Sequence, residues 1–191
     1  MRTAKISRKT KETEIEVNLS LDGGEVEIDT GIGFFDHMLT AFMMHGGFGG
    51  KIICKGDIEV DAHHSVEDIG IVLGKAFDMA LGDKGGIKRY GSFAIPMDEA
   101  LCKAILDISG RPFLVFNAEF SQYKTGEFDL CLVEEFFRAF AMNSKITLHI
   151  NLEYGKNAHH EAEAMFKAVA HALRKAVKLS KGTLSTKGSL D

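Results

Sequence analysis

The sequence predicts a duplicated α+β fold, because it contains a repeated motif, helical periodicity and strand-like alternation. The chain has 191 residues, the size of one domain or two small ones. A motif of two adjacent histidines and a glutamate, His-His-x-x-Glu, begins at His63 and again at His159, half the chain apart. Each copy leads into apolar residues spaced by three and four, the pattern of an amphipathic helix. Stretches that alternate apolar and polar residues, such as Ile15-Glu16-Val17-Asn18-Leu19, predict strands with one polar or helix-free face.

Each half of the chain reads as strand, strand, helix, strand, helix. In the first half, strands are predicted near residues 3–8, 13–21 and 50–58, with helices near 33–45 and 64–82. In the second half, strands are predicted near 89–96, 100–108, 112–119 and 146–153, with helices near 131–143 and 159–179. The glycine-rich turn Gly82-Asp83-Lys84-Gly85-Gly86 joins the halves. We therefore expect one α+β repeat at 1–84 and a second at 85–191. Each is a mostly antiparallel sheet with helices on one face, and the two form one compact domain.

The composition narrows the class of protein. Apolar residues make up 45% of the chain and charged residues 26%, which is ordinary globular composition. The net charge of −4 does not suggest a general nucleic-acid partner, and no apolar run approaches the ~20 residues that span a bilayer. The N-terminus has no apolar segment typical of a secretory signal. Three widely spaced cysteines, Cys54, Cys102 and Cys131, make a disulfide framework unexpected and favour the cytoplasm.

The duplicated histidine motif predicts metal binding. His63 and Glu67 are four residues apart and share a helix face, as do His159 and Glu163. Imidazole and carboxylate ligands together suit a divalent transition metal such as manganese, iron, cobalt, nickel or zinc. A lone histidine on a helix is usually a cap or a surface residue, but two copies in register within a repeat favour ligands.

The spacing within each motif favours two metals over one. Adjacent histidines at a helix start, such as His63 and His64, point about 100° apart, so one ion cannot easily take both. The upstream part of the repeat aligns His37 in the first half with Glu135 in the second, which adds two candidate ligands.

Several stretches together resemble the imidazoleglycerol-phosphate dehydratase family of histidine biosynthesis. They span nearly the whole chain and include Thr30-Gly31-Ile32-Gly33-Phe34-Phe35-Asp36-His37, Asp61-Ala62-His63-His64-Ser65-Val66-Glu67-Asp68, Asp107-Ile108-Ser109-Gly110-Arg111-Pro112, Glu134-Glu135-Phe136-Phe137-Arg138 and Asn157-Ala158-His159-His160. The resemblance implies a fold of the ribosomal protein S5 domain 2-like type and a hydro-lyase that converts imidazole glycerol phosphate to imidazole acetol phosphate. It also implies two manganese ions per site. It further implies that these sites lie between the subunits of a cage-like homo-oligomer of twenty-four.

The resemblance also implies residue roles. One metal would take His63, Glu67 and His159, and the other would take the set His37, His64, His160 and Glu163. The fourth ligand of the first metal is often a histidine in the family, and here that position is Glu135. A water could instead complete that site, with Glu135 a helix-surface carboxylate.

A catalytic set and a substrate-binding set follow from the same resemblance. Glu12 would carry the proton, alongside the metal-site residues His63, Glu67, His160 and Glu163. From the residues alone, an exposed strand glutamate is the favoured interpretation of Glu12. The phosphate would be bound by Arg89, Arg111, Ser185, Thr186 and Lys187. Either arginine could instead be a loop cation. Asp98 and Glu99, aligned with Glu12 by the repeat, could support the site or be purely structural.

Two other functions remain open at this point. A dinuclear metallohydrolase uses similar ligands, because paired metals also activate water. A non-enzymatic metal-binding cage is the other alternative, although basic residues for a phosphate would have no purpose there.

Overall fold

The computed structural model describes residues 1–182 and 184–185, and it shows two copies of one α+β arrangement. The first copy comprises β1 (Thr3–Lys9), β2 (Thr13–Ser20), β3 (Val26–Asp29), α1 (Gly33–Gly46), β4 (Gly49–Gly56) and α2 (His63–Leu81). The second comprises β5 (Tyr90–Met97), β6 (Ala100–Asp107), β7 (Phe113–Asn117), the short β8 (Lys124–Thr125) and β9 (Phe128–Asp129), α3 (Cys131–Ser144), β10 (Thr147–Tyr154) and α4 (Ala158–Ala176). The predicted α+β class and its duplication are confirmed. The predicted boundary between residues 84 and 85 falls between α2 and β5, and the division into two units stays a prediction.

The two four-stranded sheets have the same topology. Their orders are β1-β2-β4-β3 and β5-β6-β10-β7. In each sheet the last strand, β3 or β7, runs parallel to its neighbour, and the other pairs are antiparallel. In β2 the alternation places Ile15, Val17 and Leu19 in the core. Hydrophobic burial on one face therefore fixes the register of the strand, because a slip by one residue would expose all three side chains.

Three strands precede α1 in the first half, so the two predicted there were one too few, whereas the three strands predicted before the first helix of the second half are present as β5, β6 and β7. Strand β3 was missed, although Val26-Glu27-Ile28-Asp29 alternates. Four residues are too few for a periodic signal, and this strand forms because it pairs with β4. The β8–β9 hairpin, with two residues per strand, was also missed.

The helices of the two copies pack against each other between the sheets. Helix α2 lies on α3, and α1 lies on α4. Contact between α2 and α3 is close because Gly70 and Gly74 have no side chains. A Cβ at Gly70 would stand 2.7 Å from the carbonyl oxygen of Phe136. One hydrophobic core, which includes Phe35 and Phe166, draws on both halves of the chain.

No helix in the described part of the chain has the length and apolar character needed to cross a membrane.

Candidate active site

The packing of α1 on α4 brings three potential metal ligands together. His159 and Glu163 lie one turn apart on α4, with His159 Nε2 3.2 Å from Glu163 Oε2. His37 comes from α1, and its Nε2 lies 3.4 Å from the same oxygen. Asn157 begins the helix by accepting a hydrogen bond from the His159 backbone N–H at 3.0 Å, which fixes the direction of the first turn. Two imidazole nitrogens and one carboxylate oxygen thus converge on one point.

Lys167 fixes the orientation of the Glu163 carboxylate. Its Nζ lies 2.6 Å from Glu163 Oε1, the oxygen that does not face the histidines. Burial alone would raise the pKa of Glu163, but the hydrogen bond and charge of Lys167, helped by His37, bring the pKa below its ordinary value. Glu163 is therefore held ionised, with Oε2 available as a ligand. We did not single out Lys167 in the sequence, although its position four residues after Glu163 on the same helix face was a readable signal.

His160, the second histidine of this motif, is oriented by a carboxylate from the β5–β6 turn. Its Nδ1 lies 2.9 Å from Glu99 Oε2. This pairing with His160 lowers the pKa of Glu99 to about 2, and it raises the pKa of His160. Because Nδ1 is engaged, Nε2 is the nitrogen left for a metal. Carboxylate partners of this kind orient metal-binding histidines and increase their basicity. Glu99 is therefore hydrogen-bonded to a predicted metal ligand, and its supporting role stays a prediction.

The first motif, at the start of α2, is built in a related way. His64 Nδ1 lies 3.0 Å from Asp57 Oδ2, and this hydrogen bond raises the pKa of His64. On the opposite side of the ring, His64 Nε2 lies 4.0 Å from Glu12 Oε1. His63 Nε2 lies 3.7 Å from Glu67 Oε2, and the side chains of His63 and Glu67 are each almost half exposed. We did not identify Asp57 from the sequence, because it lies in the loop between β4 and α2, where neither a helical nor a strand period relates it to His64.

Not every predicted ligand joins a cluster within one chain. Among the described residues, the groups of three or more ligand atoms within 4.8 Å of one another are His37-His159-Glu163 and Asp98-Glu99-His160. Glu135 instead lies on α3 beside Arg138, with 3.9 Å between Glu135 Oε2 and Arg138 Nε. Glu163 lies beside both His37 and His159, whereas the family resemblance divides those two histidines between metals. The ligand sets therefore stay predictions.

The predicted phosphate-binding arginines meet at a different end of the molecule. Arg89 donates hydrogen bonds from Nε and Nη2 to Asp107, at 2.6 Å and 3.0 Å, and from Nη1 to the carbonyl oxygen of Leu184 at 2.6 Å. Arg111 Nη2 lies 3.6 Å from Asp107 Oδ2, and its side chain is 68% exposed. Asp107 thus lies beside both guanidinium groups, and Arg89 also connects this region to Leu184, the residue before Ser185. Thr186 and Lys187 lie outside the described residues.

The predicted metal ligand His160 and the predicted phosphate-binding arginines lie at opposite ends of the β5–β6 hairpin. Glu99, beside His160, is in the turn, while Tyr90 pairs with Asp107 at the open end. Seven residues of strand separate the two ends, a distance of about 23 Å. One small substrate cannot reach both ends of one chain.

Comparisons with known proteins show the family to which this chain is similar. Residues 30–173 match the family model described as imidazoleglycerol-phosphate dehydratase. The chain is 56% identical over 194 residues to the imidazoleglycerol-phosphate dehydratase of Clostridium kluyveri, and 55% identical over 192 residues to that of Clostridioides difficile. In each case all of both chains is covered.

Solved structures show the same fold. The crystal structure of the Staphylococcus aureus imidazoleglycerol-phosphate dehydratase is similar with a TM-score of 0.86 at 44% identity, covering 93% of this chain and 99% of the other. That of the Pyrococcus furiosus enzyme has a TM-score of 0.86 at 39% identity, covering 97% and 100%.

Proposed function

Because the chain belongs to the imidazoleglycerol-phosphate dehydratase family, a family of hydro-lyases in histidine biosynthesis, we propose that it dehydrates imidazole glycerol phosphate to imidazole acetol phosphate with manganese. The observation that carries this proposal is the arrangement of the second histidine in each motif. In both His64 and His160 a carboxylate holds Nδ1, so that Nε2 can bind a metal.

The residues present fit a divalent transition metal. His37, His159 and Glu163 offer two nitrogens and one oxygen, a donor set that suits manganese among several such metals. When bound, two manganese ions supply Lewis acidity for the imidazole ring and the diol of the substrate. The chain orients the imidazoles through Asp57 and Glu99, and it holds Glu163 ionised through Lys167.

Glu12 and the arginines supply the remaining roles. Glu12 is the proton carrier, because its carboxylate is exposed and stands 4.0 Å from the Nε2 of His64, where a substrate bound at the metal would approach. Arg89 and Arg111, gathered by Asp107, bind the phosphate oxygens, for which the planar guanidinium group is suited. Ser185, Thr186 and Lys187 complete the phosphate site in this proposal.

The complete site includes residues of more than one subunit. Support comes from the separation of about 23 Å between the two ends of the β5–β6 hairpin. A substrate of one imidazole ring, three carbons and a phosphate is much shorter, so the phosphate-binding end must come from a neighbouring chain. We propose the twenty-four-subunit cage that the family resemblance implies. Cys54, Cys102 and Cys131 are all free, which supports a cytoplasmic location.

The direct test is incubation of the purified protein with imidazole glycerol phosphate and manganese. Alkali then enolises the ketone product, and its ultraviolet absorbance is recorded. Absorbance that depends on both protein and manganese is the expected result. Bound manganese with no absorbance change would contradict the dehydratase proposal.

Replacing Glu135 tests whether it is a metal ligand. Glu135→Ala is expected to weaken the binding of one of the two metals and to leave the binding of the other unchanged. Glu135→His should stay active and shift the preference towards zinc or cobalt, because carboxylate oxygen favours manganese more than imidazole does. Metal titration followed by elemental analysis measures both effects. Glu134→Ala is the control, since that carboxylate is paired with Arg138. Unchanged stoichiometry and affinity in Glu135→Ala would mean that Glu135 is not a ligand.

On acidification, manganese affinity is expected to begin to fall at a higher pH than it would if the histidine ligands had ordinary pKa values. The metal requires a neutral imidazole nitrogen, and the raised pKa values of His64 and His160 keep these rings protonated to higher pH in the metal-free protein. Glu99→Gln removes the carboxylate that raises the pKa of His160. It should move the loss of one metal to lower pH and weaken binding about 10–100-fold at high pH. Manganese titrations at several pH values, with the exposed Glu25→Gln as control, measure both changes. An identical pH profile in Glu99→Gln would contradict the assignment.

A further inference from the structure

We propose that Arg8, Thr13 and Asp68 form a polar anchor whose role is to position Glu12 for proton transfer, an inference that rests on the proposed function. Asp68 follows Glu67 on α2, and its residue is only 7% exposed. Thr13 Oγ1 donates a hydrogen bond to Asp68 Oδ2 at 2.5 Å, and Arg8 forms an ion pair with the same oxygen. The anchor therefore joins the β1–β2 hairpin, which carries Glu12 in its turn, to the helix that carries the first histidine motif.

Further hydrogen bonds fix the backbone of Glu12 from both sides. Thr10 Oγ1 accepts from the backbone N–H groups of Glu12 and Thr13, at 3.1 Å and 3.0 Å. The carbonyl oxygen of Glu12 accepts from the backbone N–H of Asp57 at 3.1 Å. Asp57 is the residue whose carboxylate holds His64. The main chain of Glu12 is thus immobilised, while its side chain is 53% exposed. This combination suits a group that must exchange a proton with a bound substrate.

The corresponding positions of the second half carry no such anchor. The anchor is therefore not required for this hairpin to fold onto its helix. By the repeat, Arg8, Thr13 and Asp68 correspond to Ile95, Ala100 and Ala164. Ala100 and Ala164 are buried, and Ile95 packs against the core. The same hairpin-on-helix arrangement therefore forms with three apolar residues. Replacing a partly buried ion pair by well-packed apolar residues is often neutral or stabilising, so stability alone does not explain the anchor.

The glutamates in the two hairpin turns, Glu12 and Glu99, also differ in how they contact the neighbouring histidine. Glu99 corresponds to Glu12 and is hydrogen-bonded to His160 Nδ1, so its own contact orients it. Glu12 instead faces the Nε2 side of His64 across 4.0 Å, with no hydrogen bond between them. Glu12, whose carboxylate forms only the 4.0 Å ion pair with His64 and no hydrogen bond among the described residues, is the one of the two glutamates with a buried polar anchor beneath it. The presence of the anchor beneath Glu12, and its replacement by apolar residues beneath Glu99, supports the inference that Arg8, Thr13 and Asp68 position Glu12.

The test replaces the three anchor residues of the first half by the apolar residues found at the corresponding positions of the second half. The triple variant Arg8→Ile, Thr13→Ala and Asp68→Ala is expected to keep its manganese content and oligomeric mass. Its kcat should fall about a hundredfold, the scale of a misplacement of about 1 Å, while KM changes less than about threefold. A gentler pair of variants probes the hydroxyl alone. Thr13→Val should lower kcat about tenfold, and Thr13→Ser should restore it, because only the serine can still donate to Asp68.

Glu12→Gln separates this inference from the proposed function. If Glu12 carries the proton, Glu12→Gln is nearly inactive, and combining it with the triple variant lowers kcat no further. Full activity of Glu12→Gln would refute the role of Glu12 itself. An inactive Glu12→Gln together with wild-type kcat in the triple variant and in Thr13→Val would overturn the anchor alone. Loss of manganese from the folded Thr13→Val variant would show that the anchor supports the metal ligands, and this too would overturn the inference.

Discussion

Replacing His64 or His160 by alanine is expected to remove manganese and to lower dehydratase activity by orders of magnitude. Each ring has its Nδ1 held by a carboxylate, at 3.0 Å by Asp57 and at 2.9 Å by Glu99, which leaves Nε2 as the proposed metal ligand. Alanine removes the ligand and leaves an unpaired carboxylate where the ring stood. The Lewis acid is then lost together with its support, so the effect should exceed that of removing either carboxylate alone.

Elemental analysis and the enolised-ketone assay measure the two losses in the same preparations. His149→Ala is the matched control, because His149 is exposed on β10 and has no assigned role. It should keep full metal and activity. Full manganese content in His64→Ala and His160→Ala would refute their assignment as ligands.

Removing the metal is expected to convert the large oligomer into a smaller species, and manganese should restore it. In the proposed assembly the ligands of a site come from more than one chain, so metal binds only the assembled form and stabilises it by mass action. The exposure of His63 and Glu67 in the single chain supports this view. Almost half of each side chain is exposed, so a metal shared with a neighbouring chain could reach it. Light scattering after size-exclusion chromatography, before and after chelation, gives the mass directly.

Magnesium serves as the control in that experiment, because it prefers oxygen ligands and should restore assembly poorly. A mass that stays unchanged in fully metal-free protein would contradict the link between metal and assembly. The activity assay would then still decide whether the site performs the dehydration.

The sequence by itself determined the features that depend on short spacings. The duplicated α+β class followed from apolar periodicity and from the return of His-His-x-x-Glu after 96 residues. The proximity of His159 to Glu163, and of His63 to Glu67, followed from the helical repeat, because residues four apart share a face. The position of Glu12 near the first motif could be inferred only through family resemblance, since 52 residues separate it from His64.

The tertiary structure decided which distant groups meet within one chain, although the family resemblance had already assigned His37 and Glu163 to one metal. His37 reaches Glu163 across 126 residues because α1 packs on α4, and the periodicity of either helix does not encode that pairing. The same holds for Asp57 and Glu99 on the histidine Nδ1 atoms, and for Arg8 and Thr13 on Asp68. Strand β3 also depended on a neighbour for its hydrogen bonds. The physical reason is common to all of them: local patterns specify which face of an element is apolar, whereas polar contacts between elements depend on the distances set when those faces pack.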